Sequence, residues 1–320
     1  MSELEFEDEM LNEIAQKLNS DDAGIRRVAV MELVDCAERE AVPLLIKALN
    51  DTDSGVRQEA AKVVDEFDAE DMADTLVEAL TSEDANVRNA AAHSLADLKD
   101  PNAGPALIRS LNSDDPFVLQ GILYALKSLR LPEARPPALK LLGNEHANVR
   151  REAVAVLGWL KDESVLDDLI EVARNDASEE VRRAAVGAVQ FAPIARIVPL
   201  MSDALGDAHW QVRCEAANGL GKSGDTATVP ALIAATRDSY WQVREKAAEA
   251  LGTLGAVSAI SALGVCARDK VSNLRKTAVG ALGEIGHGDA LPIIELAMDD
   301  PDPDVRKLAR WAMSKLETAA

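Results

Sequence analysis

The chain is short of aromatic residues, of cysteine and of positive charge. Only 3% of its residues are Phe, Trp or Tyr, although 48% are hydrophobic. Packing therefore falls to alanine, leucine and valine, which suits closely approaching helices. The three cysteines, Cys36, Cys214 and Cys266, form neither a disulfide framework nor a CxxC pair, so a reducing compartment, the cytoplasm, is expected. Basic residues number 34 against 55 acidic ones, a net charge of −21. Duplex nucleic acid and anionic membranes both call for a cationic face and are disfavoured as partners. No run approaches about 18 uninterrupted apolar residues, so no membrane span is expected. The opening stretch, MSELEFEDEMLNEIAQKLNSDD, is acidic and lacks the apolar segment of a signal peptide. No segment alternates in strand fashion. GxSxG, HExxH, phosphate-loop and dinucleotide motifs are all missing, which removes the enzyme classes built on them.

What the chain does have is one unit, repeated. Its anchor is an aliphatic residue followed by arginine, at Arg26, Arg57 and Arg88, then at Arg150, Arg182, Arg213, Arg244, Arg275 and Arg306. The spacing is 31, except for a 32-residue step from Arg150 to Arg182 that reads as a loop insertion. A degenerate copy, PFVLQGILYALKSL, fills the double gap with Leu119 at the anchor. Each unit reads as two helices around an Asp/Ser/Asn loop. AVPLLIKALN and TATVPALIAAT are first helices, and VRQEAAKVV and VRREAVAVLG are second helices. A proline recurs at Pro43, Pro105, Pro136, Pro199, Pro230 and Pro292, where a first helical turn loses nothing by its missing N–H. The glycines of LGKSG, LGTLG and LGEIGHG read as helix stops.

This pattern resembles HEAT repeats, specifically the short bacterial type of the phycobilisome-lyase HEAT-like family, over roughly residues 8 to 318. The resemblance implies an all-α fold, a right-handed α-solenoid of about ten two-helix repeats. It forms a single domain over 8–318, behind an acidic tail at 1–7. It also implies that the second helices line a concave surface along which partners bind. The relatives range from bilin lyases to iron–sulfur assembly partners and plain adaptors, so fold alone does not choose among them.

Counted from the anchor, positions −1, +3 and +7 are apolar, as in Val212, Ala216 and Leu220 or Val243, Ala247 and Leu251. Steps of four place them on one core stripe. A second stripe, at −2, +2, +5 and +9 with −3 and +1 beside it, varies freely. Seven of the ten aromatics fall on it: Trp210 and Trp241 at −3, Phe117 at −2, Tyr124 and Trp311 at +5, Trp159 and Phe191 at +9. Two stretches, DAHWQVRCEAANGLGKSG and DSYWQVREKAAEALGTLG, repeat the same tryptophan before Val-Arg. Tryptophan at a loop-to-helix corner suits a binding anchor; the plainer alternative is a plug between repeats. Position −4 is aspartate at Asp22, Asp53, Asp84, Asp115 and Asp302, a habit of loop capping, but His146, Ser178, His209, Tyr240 and Val271 in the middle repeats. Partner contacts are therefore expected at Phe117, Tyr124, Trp159, Phe191, His209, Trp210, Gln211, Cys214, Tyr240, Trp241, Gln242 and Glu249.

The anchor arginines read as a structural ladder, each bonding loops or carboxylates of the neighbouring unit. Acids and bases interleave on the variable stripe, which suits protein more than nucleic acid. Cys214, His209 and Glu215 share a corner and carry metal-ligand chemistry, but two soft donors so close in sequence make no site. The His-Glu dyads of the di-iron hydroxylase with this repeat class are missing. The reading is a non-catalytic scaffold that holds a protein partner, with no catalytic residue, metal or cofactor assigned. The alternative is a cofactor-maturation accessory, tetrapyrrole lyase-like or iron–sulfur, handling a flat cofactor or cofactor-bearing client.

Overall fold

The computed structural model describes residues 6–319; the side chains of Asp65, Thr318 and Ala319 lie outside that description. So does most of the expected acidic tail, 1–5. Phe6 is tied down: its N–H donates to Asn12 Oδ1 and its carbonyl accepts from Asn12 Nδ2. Ten helix pairs follow, and the described residues contain no strand. The chain divides into two compact units, Met1–Leu160 and Lys161–Ala320. In the first unit the pairs are α1 (Glu9–Lys17) with α2 (Ala23–Glu32), α3 (Val42–Leu49) with α4 (Ser54–Val63), α5 (Ala69–Leu80) with α6 (Ala85–Asp97), α7 (Gly104–Arg109) with α8 (Pro116–Leu129), and α9 (Arg135–Leu141) with α10 (Ala147–Leu160). In the second they are α11 (Leu166–Asn175) with α12 (Glu179–Ala188), α13 (Ile194–Ala204) with α14 (Trp210–Ser223), α15 (Val229–Ala235) with α16 (Trp241–Thr253), α17 (Ile260–Cys266) with α18 (Ser272–Ile285), and α19 (Leu291–Ala297) with α20 (Pro303–Ala319).

The core stripe lies where its spacing puts it. Val212, Ala216, Leu220, Val243, Ala247 and Leu251 are all fully buried. The −4 aspartates are helix caps. Asp22, Asp53, Asp84 and Asp115 accept from N–H groups of the first turn of α2, α4, α6 and α8, and Asp302 does so for α20. Each such cap contributes about 1 kcal/mol. At the other end Arg130, Lys161, Gly224, Gly255 and Gly286 take the left-handed conformation that terminates a helix.

Several expectations need correcting. Only the second glycine of each LGxxG stretch is a stop. Gly221, Gly252 and Gly283 lie inside their helices, where a Cβ would come 2.7–2.8 Å from Ala250, Ala281 and Ala312 of the next second helix. They let α14, α16, α18 and α20 approach closely. The 32-residue step lengthens a helix and not a loop: α11 has ten residues where α15, α17 and α19 have seven. Leu119, at the anchor of the degenerate copy, is 2% exposed and continues the core of α8. Pro199 is interior to α13, because that helix opens early, at Ile194.

The early start of α13 has a counterpart in α5. In both places a 3-10 turn, Val64–Glu66 or Val189–Phe191, replaces the last turn of the preceding second helix. In the first unit α2 packs on α4, α6 on α8 and α8 on α10, but between α4 and α6 lies an open cavity of about 600 Å³. At the −1 position Val87 is 40% and Ile25 45% exposed, whereas Val56, Val149 and Val212 are fully buried.

Candidate partner-binding face

The frame of this face is the arginine ladder. The guanidinium of Arg213 has two working edges. Nη1 donates to the carbonyls of Asp207 and Ala208 in its own loop, at 2.8 and 3.1 Å. Nε and Nη2 donate to the carboxylate of Asp238 in the next loop, at 2.7 and 2.9 Å. Arg182 with Asp207 and Arg275 with Asp300 repeat this fork, and Arg244 reaches Asp269 through Nη2. In the first unit Arg26 grips Asp51 in the same way. Burial pushes the Asp238 carboxyl up, but the Arg213 hydrogen bond, the Tyr240 N–H and the Arg213 charge outweigh it and hold it below the usual range. The same aspartate accepts the Tyr240 N–H at 2.8 Å, so one carboxylate joins two loops and opens α16. The expected ladder is present at Arg26, Arg182, Arg213, Arg244 and Arg275, whereas Arg57 and Arg88 bond the carbonyls of their own loops.

On this frame stand the rings of the second unit. Trp210 stacks on Tyr240, with centroids 5.8 Å apart and planes 14° from parallel. Arg213 lies 5.6 Å over the other ring of the pair, Tyr240. Tyr240 is 46% exposed; Trp210, Trp241, Gln211 and Gln242 are half-buried, and His209 and Glu249 are exposed. Trp210 thus joins two repeats and also reaches the surface, so plug and anchor are not exclusive. His209 and Tyr240 occupy the N-cap position without a capping bond from their side chains. Aspartate there would contribute about 1 kcal/mol to each helix. Gln211 Oε1 is buried with no hydrogen-bond donor.

Cys214, His209 and Glu215 turn to separate partners. Burial pushes the half-buried Cys214 thiol up to about 11, so it is not a thiolate at neutral pH. His209 Nδ1 lies 3.7 Å from Glu179, and Glu215 accepts from Gln190 Nε2 at 2.9 Å. Among the described residues no group of three His, Cys, Asp or Glu side chains gathers as a metal site. Phe191 sits half-buried on its 3-10 turn, not on a continuing helix as its place on the stripe implied.

Phe117, Tyr124 and Trp159 belong to the first unit and form a separate group. All three are exposed. Lys127 Nζ lies 3.7 Å over the Tyr124 ring and Arg130 lies 4.5 Å over Trp159, cation–π contacts on adjacent second helices. Phe117 is 6.0 Å from Arg88.

Sequence reasoning left out the C-terminal end of the second unit. A cavity of about 940 Å³ opens there over α16, α18 and α20, lined by Glu249, Lys276, Glu284, Asp304, Lys307 and Trp311 among others. Trp311 leans over Gly283, where a Cβ would come 2.5 Å from its Cζ3, and Gly280 leaves the neighbouring position open. The signal was available: Gly280 and Trp311 hold the same position in successive repeats.

Comparisons place the chain. A profile of HEAT repeats matches residues 11–96, 56–127, 111–190, 197–278 and 265–320. Among curated proteins, none matches the sequence. The solved structure of the Escherichia coli protein YibA is 19% identical, covering 90% of this chain and 96% of its own, with a TM-score of 0.52. The karyopherin Kap121p, solved bound to the extreme C-terminus of the protein phosphatase Cdc14p, is 13% identical over 97% of this chain and 42% of its own, with a TM-score of 0.55. At such identities the likeness is one of fold, an all-α solenoid. Five successive profile matches, ten helix pairs and a ladder of anchor arginines establish that this chain belongs to the HEAT-repeat family.

Proposed function

We propose that this protein is a non-catalytic scaffold that holds a protein partner against the second helices of its repeats. The observation that carries this reading is the corner of α14 and α16. The N-caps of these two second helices are His209 and Tyr240 in place of aspartate, and Tyr240 stacks with the part-exposed Trp210. Aromatics of this kind dominate protein hot spots. Interleaved charge on α14, α16 and α18, at Glu215, Lys246, Glu249, Lys276 and Glu284, suits a polypeptide with its own mixed charge. The 31-residue spacing, broken by one 32-residue step, supports the short bacterial, phycobilisome-lyase-like type, and the three unpaired cysteines support a cytoplasmic setting. Among the described residues no helix is long and apolar enough to cross a membrane.

The test is affinity capture from the native host with the wild-type chain and with the double variant Trp210→Ala, Trp241→Ala. One stoichiometric protein is expected with the wild type. Its affinity for the double variant should fall by about 2–4 kcal/mol, with denaturant unfolding much less affected. A large loss of stability with unchanged affinity in the folded fraction would reduce both rings to plugs. A chromophore or metal retained on the captured material would favour a cofactor-bearing client instead.

A further inference from the structure

An anchor arginine in this fold has a loop edge and a fork edge. Five forks hold an aspartate of the following repeat: Arg26, Arg182, Arg213, Arg244 and Arg275 hold Asp51, Asp207, Asp238, Asp269 and Asp300. Arg57 is built the same way up to its loop edge. Its Nη1 donates to the carbonyls of Asp51 and Thr52 at 2.7 and 2.9 Å, which pins the guanidinium as in its homologues. The position that supplies the aspartate elsewhere is Ser82 in the following repeat, and Ser82 Oγ accepts from the Asp84 N–H instead. Among the described residues no carboxylate pairs with Arg57. Its side chain is exposed and lines the 600 Å³ cavity between α4 and α6. His93, Ser94 and Lys99 share that lining with an apolar floor of Val64, Met72 and Leu98.

We propose that this cavity recognises a carboxylate of a bound polypeptide. An Asp or Glu side chain enters the open fork of Arg57 and takes the place that an internal aspartate fills in five other repeats. An apolar neighbour on the same peptide rests on Val64, Met72 and Leu98. A planar carboxylate matches the fork in a bidentate way. Phosphate would match it too, but Asp97 and Asp100 also line the cavity and oppose a dianion more strongly than a monoanion. Asp100 also caps the Asn102 N–H at 2.9 Å, so Asp97 is the one of the two that can be neutralised without losing a cap. That the carboxylate comes from a polypeptide rests on the scaffold reading; the open fork does not.

The experiment is a nitrogen-15 NMR titration of the arginine Nε–H signals in the full chain. The probes are the capped peptide acetyl-Leu-Asp-Leu-amide, its asparagine counterpart, and sodium acetate. The aspartyl peptide should shift Arg57 saturably in the millimolar range and leave Arg213, whose fork is filled, unmoved. Arg57→Gln should weaken binding at least about tenfold, the scale of one charge-assisted bond, and Asp97→Asn should strengthen it. No saturable shift at Arg57, an equal response to the asparagine peptide, or full binding by Arg57→Gln would overturn the site. Acetate binding as tightly as the peptide would overturn the polypeptide assignment. A chain that captures a partner while Arg57 stays silent loses this inference alone. A chain that titrates at Arg57 but captures nothing keeps the site and loses the scaffold reading.

Discussion

Removing the carboxylate of Asp238 tests whether the arginine ladder holds the repeats together. Asp238→Ala deletes two charge-assisted bonds from Arg213, at 2.7 and 2.9 Å, and the acceptor for the Tyr240 N–H at 2.8 Å. It leaves the fork of Arg213 short of a partner where that side chain is only 10% exposed. Removing one member of a fully buried pair costs about 3–5 kcal/mol. Water reaches this pair slightly, since Asp238 is 13% exposed, so the lower end, about 3 kcal/mol, is expected. The surface pair Arg174–Asp203, 46% and 67% exposed, is the control; Asp203→Ala should cost under about 1 kcal/mol. The assay is urea unfolding joined to amide exchange. Nearest-neighbour stacking predicts that protection falls first in α14 to α16 and least in distant repeats. The effect has a defined pH window. The folded-state pKa of Asp238 lies below its ordinary value, so its contribution is complete above about pH 4 and disappears as pH falls through the depressed pKa. The wild type should therefore lose its advantage over Asp238→Ala in acid. A loss under about 0.5 kcal/mol at pH 7, or an advantage that grows on acidification, would refute the argument.

Two glycines three residues apart in α18 should respond with opposite signs. Gly283→Ala drives a Cβ to 2.5 Å from Trp311 and 2.8 Å from Ala312, which should cost about 1–3 kcal/mol by overpacking. Gly280→Ala meets nothing within 4 Å and should gain up to about 1 kcal/mol from helix propensity; thermal unfolding of the two variants checks the pair. Ala216→Asp puts an unpaired charge at a fully buried position of α14. A loss of several kcal/mol is expected, read as collapse of exchange protection in α13 to α16. Near-wild-type unfolding would mean that the core stripe is misplaced.

The helix pairs and their inner stripe were legible in the sequence for one reason. A 3.6-residue period and a 31-residue repeat are both local properties, so Val212, Ala216 and Leu220 declare themselves without any knowledge of what they touch. The −4 aspartates were legible likewise, because a cap bonds its own first turn. Whatever depends on how far one helix stands from the next was not. Gly221, Gly252 and Gly283 look like helix stops until the next helix is seen pressing its alanine against them. Trp210 and Tyr240 are thirty residues apart and belong to different repeats, and only the joining of those repeats makes them a stacked pair. The sequence did announce a ladder of arginines. It did not announce that five of these arginines work with two edges, or that Arg57, with serine at the position that supplies the aspartate elsewhere, lines a cavity. Ser82 for aspartate is one unremarkable letter in a loop. Its consequence, an anchor arginine without an aspartate partner beside a cavity, appears only when the repeats are brought together, and helix spacing is set by the sum of many side-chain contacts that no single repeat contains.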